Sequence, residues 1–456
     1  MTTATEPEIP QAAGSAAAPE AFVLTGAFWV VCRNPRYLAE LAARGLKVLL
    51  ITPAGYREAA EAARKDPEHP AFLLDDIAFV DGSLDQEGSF IPGFIARARS
   101  WRQTYTIVGA YAVGETLVEP TGLLGDALGL PGPGLRATRA CRSKYLQRWY
   151  LDEFSPVSVV IPPGEREDTA ALDGLPYPVV AKPATRHSSS GVVTVADAAE
   201  LRAELAGYPE YETLLVEQKI EGHEYSVESL VQGGEIVFAS VTSKETTESD
   251  ARSFVELSHS VPNARPGVDD GLLEANRRLL ETLGFRDGIA HAEWRTGSDG
   301  RPYLMEVAAR TPGDGLLALY HLATGRPLEP EIVKIALGEP ADYPAPRRWT
   351  RQVYLDHTPG TLEDVSVDWP CITPAWVGAG GIWPEITPGA IGAPAALRAV
   401  LVLKEKGAEL TPLASSDDRA VTFLIDAPSA GELDELERRV RAAVTLTVGT
   451  VERRGL

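Results

Sequence analysis

The stretch IAHAEWRTGSDGRPYLMEVAARTPGD, Ile289–Asp314, reads as a β-hairpin. Ile289, His291, Glu293 and Arg295 point one way and Ala290, Ala292 and Trp294 the other, the two-residue period of a strand. Gly297-Ser298-Asp299-Gly300 is turn chemistry, and a second apolar run follows from Pro302 to Ala308. With the turn centred on Ser298 and Asp299, Glu293 faces Leu304 and Glu306 faces His291. The two glutamates are then diagonal neighbours on one face, roughly 7–8 Å apart, within reach of long side chains. Carboxylates that converge repel each other unless a cation lies between them, and oxygen ligands suit Mg²⁺. Four residues after Glu306 stands Arg310. Carboxylates, a metal and an arginine form equipment for handling phosphate. A plain surface hairpin with exposed charges is the other reading, and the rest of the chain decides between them.

Upstream, Tyr177-Pro-Val-Val-Ala-Lys182-Pro is a short strand bearing a lysine, with prolines that mark an edge or a strand end. The loop Thr185–Gly191 that follows is small and hydroxyl-rich, with Ser188, Ser189, Ser190 and Gly191. Backbone N–H groups and hydroxyls in such a loop can cradle phosphate, although the Walker pattern is absent. Before it, a basic helix is expected over Leu135–Tyr150, carrying Arg136, Arg139, Arg142, Lys144 and Arg148 in an acidic protein. After it, strand Thr213–Glu217 runs through Gln218, Lys219 and Ile220 into strand Glu224–Val231, and Gln232–Glu235 turns that into strand Ile236–Lys244. Phe254–His259 is extended, and helix Asp269–Leu283 stops at Gly284.

The 456 residues carry Lys+Arg 43 against Asp+Glu 64, a formal charge of −21. That field opposes sequence-independent binding to nucleic acid or anionic membranes, so neither is an expected partner. Three cysteines without a C-x-x-C pair imply reduced thiols and a cytoplasmic protein. No signal-peptide design opens the chain. No apolar run approaches the roughly 18–20 residues of a membrane-spanning helix.

An α/β architecture is expected. Residues 1–20 read as a disordered tail and residues 21–134 as an N-terminal α/β domain. Its strand Phe22–Leu24, helix Pro35–Arg44 and strand Lys47–Ile51 form a β-α-β unit of a parallel sheet, without a dinucleotide fingerprint. The breaker cluster Gly129–Gly134 marks the junction. Residues 135–340 form a core with a lid at about 155–215. Residues 341–456, rich in Pro, Gly, Trp and β-branched residues, read as a separate β-rich α+β domain, with strands near Arg351–Asp356, Ala399–Leu403 and Val421–Ile425 and helix Ala430–Ala443.

In that order, residues 135–325 resemble the ATP-grasp superfamily. The resemblance implies an ATP-grasp fold, with Lys144 and Lys182 on the phosphates and Thr185–Gly191 as the flexible phosphate loop. It implies Glu217, Gln218, Lys219 and Ile220 as the adenine hinge, and Glu224 on the ribose. Glu293 and Glu306 would hold Mg²⁺, and Arg310 would stand beside the transferred phosphoryl group. Two ions are the family's habit, Mg²⁺ or Mn²⁺. The sequence departs from that habit: Glu306-Val-Ala308 lacks the usual asparagine. The Glu-x-Ala-Ala-Arg form and the pair Glu256 and His259 resemble the L-amino-acid ligase branch instead.

The implied enzyme is an ATP-dependent carboxylate–amine ligase acting on small molecules, with a homodimer left open. Glu256 or His259 would bind an ammonium or accept its proton, or His259 is a strand histidine. Glu115 either reaches the cleft or caps a helix, and Asp314 either caps the helix after it or meets a cationic substrate group. A carboxylase with a different nucleophile and a non-catalytic nucleotide-binding subunit are the alternatives. With Met1 and Met305 its only methionines, the chain has no biotin-carrier Met-Lys-Met site.

Overall fold

The computed structural model describes residues 18–166, 172, 174–186, 189–247 and 254–449. Most of the expected N-terminal tail, together with His187 and Ser188 of the phosphate loop, lies outside the described residues.

The N-terminal sheet is parallel, in the order Asp76–Val80, Lys47–Pro53, Glu20–Thr25, Thr106–Ala112. Its first crossover is helix Pro35–Ala43, which begins with proline at its first position and stops before Gly45 at φ 73°. Helix Val118–Leu128 ends at left-handed Gly129. A smaller antiparallel sheet, ordered Ser158–Ile161, Leu214–Gln218, Val179–Pro183, Val193–Val195, forms the lid. Strand Val179–Pro183 lies inside that sheet, and Pro178 and Pro183 fall at its ends, where a missing N–H costs least.

The largest sheet has nine strands among the described residues. It starts with Pro302–Ala308, Gly288–Thr296, Glu224–Gln232, Glu235–Thr246 and Glu256–Val261, then continues through Trp349–Leu355, Val421–Ala427, Ala396–Val402 and Ala375–Trp376. It therefore crosses the boundary drawn at residue 340. Ser258 pairs with Val353 and Val261 with Thr350. Backbone pairing between distant strands leaves no local mark in sequence, so composition alone cannot reveal this junction. One apolar core joins all three parts: Phe22 and Phe28, Tyr320 and Ile332, and Leu401 and Leu424 belong to the same buried cluster. No helix among the described residues is long and apolar enough to cross a membrane.

Two expectations need correction. The basic segment is two helices, Leu135–Ala140 and Lys144–Tyr150, because Ser143 caps the second by accepting from the Leu146 amide at 3.4 Å. The hairpin register also differs. Glu293 pairs directly with Glu306 and Trp294 with Leu304, so Met305 is an extra residue, a β-bulge. The bulge turns the expected diagonal glutamates into a directly opposed pair. The alternation itself holds: Ala290, Ala292 and Trp294 pack into one core, while His291, Glu293 and Arg295 line a cavity.

Candidate active site

The cavity has a volume of ≈ 220 Å³ and lies between the lid sheet and the large sheet. At its lid end, Lys144 opens its helix and is buried; its Nζ donates to the Arg186 carbonyl at 2.8 Å and lies 3.1 Å from Glu306 Oε2. Lys182, also buried, lies 2.5 Å from Glu217 Oε2, and Glu217 pairs on its other side with Arg148. Burial lowers the Lys182 pKa to about 8, with Glu217 opposing and Arg148 and Lys144 reinforcing. Burial pushes the Glu217 carboxyl up, but Arg148 and Lys182 outweigh it and hold it at about 2. The Glu217 carboxylate thus serves the lysine cluster. Along the same edge, Gln218, Lys219 and Ile220 line the cavity. The Gln218 and Lys219 amides donate to the carbonyls of Val157 and Pro178, and the Ile220 carbonyl accepts from Arg295 at 3.1 Å. Gly222 lets this linker pass the hairpin: a Cβ there would stand 1.9 Å from the Thr296 carbonyl oxygen.

In the middle, Glu224, Glu256 and Glu293 present oxygens that all lie within 4.8 Å of one another. Lys244 stands among them, its Nζ 2.6 Å from Glu293, 3.5 Å from Glu224 and 3.8 Å from Glu256. Burial alone would lower the Lys244 pKa, but the three carboxylates raise it above the ordinary value. Behind Glu293, His291 faces a carboxylate at each nitrogen: Nδ1 is 2.8 Å from Glu228 and Nε2 is 3.2 Å from Glu293. Burial works against the imidazolium, and the two carboxylates more than offset it, so the His291 pKa is raised. The donor set is all carboxylate oxygen and fits a hard divalent cation. Of the two expected metal ligands, Glu293 belongs to this cluster, while Glu306 across the strands is engaged by Lys144.

At the far end, Arg310 Nε meets Glu115 at 2.5 Å, and Glu115 also pairs with Arg142. Glu115 therefore reaches the cleft rather than only capping a helix. Glu256 accepts from Ser416 Oγ at 2.8 Å. His259 Nε2 lies 2.8 Å from Asp314, and its Nδ1 is buried without a partner among the described residues. Asp314, at φ 55°, meets Arg419 at 2.6 Å, and the Arg419 guanidinium stacks 3.8 Å above the Tyr354 ring. The capping expectation for Asp314 is thereby corrected: its carboxylate goes to Arg419 and His259 and makes no cap bond to the helix after it, while the residue does stand on the cavity wall.

Of the loop residues, Ser189 and Ser190 line the cavity, and Ser189 Oγ donates to the Phe254 carbonyl at 3.1 Å. Gly191 supplies its carbonyl to Tyr208 at 2.7 Å. Sequence reasoning missed Lys244, Arg148, Arg295, Ser416 and Arg419. Local signs existed for three of them: Arg148 in the basic segment, Arg295 on the hairpin face of Glu293, and Lys244, a charge closing the uncharged run Ile236–Ser243. Arg419 arrives from more than a hundred positions beyond Asp314 and carries no local sign.

Residues 175–317 match the family model described as an ATP-grasp domain. The alanine–anticapsin ligase of Bacillus subtilis (strain 168) is 24% identical over 263 residues, 50% of this chain and 54% of that protein. The chain thus spans about half the length of that curated relative. Among solved structures, an L-amino acid ligase from Bacillus licheniformis matches with a TM-score of 0.70 at 20% identity, covering 95% of this chain and 100% of that one. Phosphoribosylglycinamide synthetase from Anaerococcus prevotii matches at 0.62 and 14% identity, covering 94% and 100%. The biotin carboxylase domain of Hydrogenobacter thermophilus 2-oxoglutarate carboxylase, solved with MgADP, ADP and bicarbonate, matches at 0.62 and 15%, covering 94% and 90%. Segment 175–317 of this chain, which runs from the lid sheet through the hairpin, matches the ATP-grasp domain, and the chain has an ATP-grasp α/β fold and resembles the carboxylate–amine ligases of the L-amino-acid ligase kind.

Proposed function

We propose that the protein is an ATP-dependent ligase that activates a carboxylate, an amino acid among the candidates, as an acyl phosphate and joins it to an amine, releasing ADP and phosphate. The observation that carries this reading is the convergence, in one cavity, of buried Lys144 and Lys182, a carboxylate cluster around buried Lys244, and Arg310. A carboxylate is a poor electrophile, and phosphorylation gives it a leaving group. The work left to the protein is positioning and charge neutralisation. Lys144 and Lys182 neutralise the phosphate chain, and Gln218–Ile220 offer the edge on which a base lies. Glu293, with Glu224, Glu256 or Glu306, would hold Mg²⁺. That ion, when bound, supplies Lewis-acid stabilisation to phosphate oxygens. Arg310, its fork fixed by Glu115, receives the substrate carboxylate and then the oxyanion. Glu256 takes a proton from the substrate ammonium, and the neutral amine so formed attacks the acyl phosphate and displaces phosphate; His259, its free nitrogen buried, orients Asp314 and Arg419 around it. A cytoplasmic setting agrees with three free cysteines.

The test is a matrix of amino-acid pairs with ATP and Mg²⁺, reading nucleotide products, phosphate and product mass together. ADP, phosphate and a condensation product in equal amounts are expected. AMP with pyrophosphate would reject the acyl-phosphate route, and phosphate release that needs bicarbonate but no amine would favour a carboxylase.

A pH effect follows from Lys182. Its ammonium is present below about 8 and lost above it, so ATP affinity should weaken as pH rises through that value. Lys182→Arg stays charged and should flatten the dependence. Calorimetric titrations from neutral to alkaline pH decide this; equal slopes for the two proteins would remove Lys182 from the phosphate site.

A further inference from the structure

Beyond Arg310 the cavity opens into a chamber of ≈ 830 Å³, a volume at the upper end of sites that hold drug-sized ligands. The two spaces share Arg310, Gly313, Asp314, Ser416 and Arg419, so a molecule in the chamber reaches the reacting centre. Its walls come from all three parts of the chain: Val30 and Tyr56, Leu317, and Trp383 and Ile386 among them.

The charges on these walls are unevenly matched. Arg310 is paired with Glu115, Arg419 with Asp314, and Arg36 lies 3.6 Å from Glu329. Arg33 also lines the chamber, and its side chain has no acidic partner among the described residues. It is accessible, yet crowded enough that burial lowers its pKa, with the Tyr56 phenol opposing. A start at 12.5 leaves it charged at neutral pH. Glu385 and Asp417 line the same chamber, their carboxylates have no cationic partner among the described residues, and they suit the ammonium of the amine substrate. A small neutral acid would engage Arg310 alone and leave Arg33 to solvent, whereas an acid with a second anionic group can engage both arginines.

We propose that the acid substrate bears a second anionic group, and that Arg33 binds it. The enzyme would then prefer dicarboxylic acids, or acids with an equivalent anionic tail, over neutral acids of the same size. This rests on the ligase reading. Arg33 fixes specificity and takes no part in bond making.

Two measurements test it. In the first, phosphate release is followed with acid substrates that differ only in the tail, glutamate against glutamine and the longer ω-carboxylates against their ω-amides, at a fixed amine. The charged member should win by at least about tenfold in kcat/KM, the size of a charge-assisted hydrogen bond, and the gain should lie in KM. Arg33→Gln should erase the preference, and Arg33→Lys should keep part of it. The proposal is overturned if the neutral member wins, if Arg33→Gln leaves the ratio unchanged, or if the KM of the amine rises instead. In the second, glutarate and its monoamide are titrated calorimetrically into wild type and Arg33→Gln. Tighter wild-type binding of glutarate that vanishes in the variant supports the proposal, and equal binding overturns it whether or not turnover is found. Absence of ADP with every acid would sink the ligase reading instead, whereas ADP with neutral acids alone would sink only this proposal.

Discussion

Arg310→Ala is expected to lower kcat/KM by roughly 10²–10³-fold, the usual loss when one stabiliser of a developing oxyanion is removed. The expected mechanism is specific. Arg310 sits where the lid cavity meets the larger chamber, and Glu115 holds its Nε while its Nη1 reaches the Thr311 carbonyl at 2.9 Å. Two of the guanidinium nitrogens are thus tied to the chain, which leaves Nη2 for the substrate carboxylate on the proposed reading. In the variant, Glu115 keeps Arg142, so the fold should survive with little loss. Arg310→Lys retains the charge without the planar fork and should fall between wild type and Ala. Steady-state kinetics with the best acid and amine, paired with thermal melts, test this. A loss of less than about tenfold in a folded Arg310→Ala protein would take the oxyanion role away from Arg310.

The second large effect concerns stability. Lys244→Met should destabilise the metal-free protein by about 3–5 kcal/mol, the cost of removing one partner from a buried ion pair. The Lys244 side chain is 1% exposed and stands among three glutamates, of which Glu293 is 24% exposed and Glu224 12%. Without the ammonium, their mutual repulsion and desolvation are offset only in part, by Arg295 at Glu224 and His291 at Glu293. A divalent cation can supply the missing charge, so millimolar Mg²⁺ should recover part of the deficit in the variant and do little for wild type. Urea denaturation with and without Mg²⁺ measures both. A deficit that Mg²⁺ leaves untouched would show that the cluster does not take the ion.

These residues also mark how far the sequence could be read. Alternation, turn residues and glycine stops announce the hairpin, the β-α-β unit and helix Asp269–Leu283, since each depends on neighbours in the chain. Glu293 and Glu306 were found for that reason, but their exact opposition was not, because the bulge at Met305 is set by the fit of two strands. Helix Ile91–Trp101 escaped notice, with a proline and a glycine in its first turn masking its apolar face. Asp314 teaches the same lesson from the other side. Its charge called for a partner, and the sequence offered a helix end or a substrate. The partner is Arg419, brought over by strand pairing between segments far apart in the chain. Long-range ion pairs of this kind leave no periodic trace, so the part of the site built from them becomes visible only once the chain is folded.

The sheet that runs unbroken from Pro302–Ala308 to Ala375–Trp376 bears on how such a protein can be recombined. A cut near residue 340 looks like a convenient seam for swapping C-terminal segments between chains of this fold. It would instead leave strand Glu256–Val261, which carries Glu256 and His259, as a bare edge that invites pairing with other chains. Any graft must also rebuild the hydrogen-bond register of Ser258 with Val353 and the Arg419 clasp on Asp314. New specificities in this scaffold are therefore better sought by exchanging chamber-lining loops, such as the one around Trp383, than by exchanging modules.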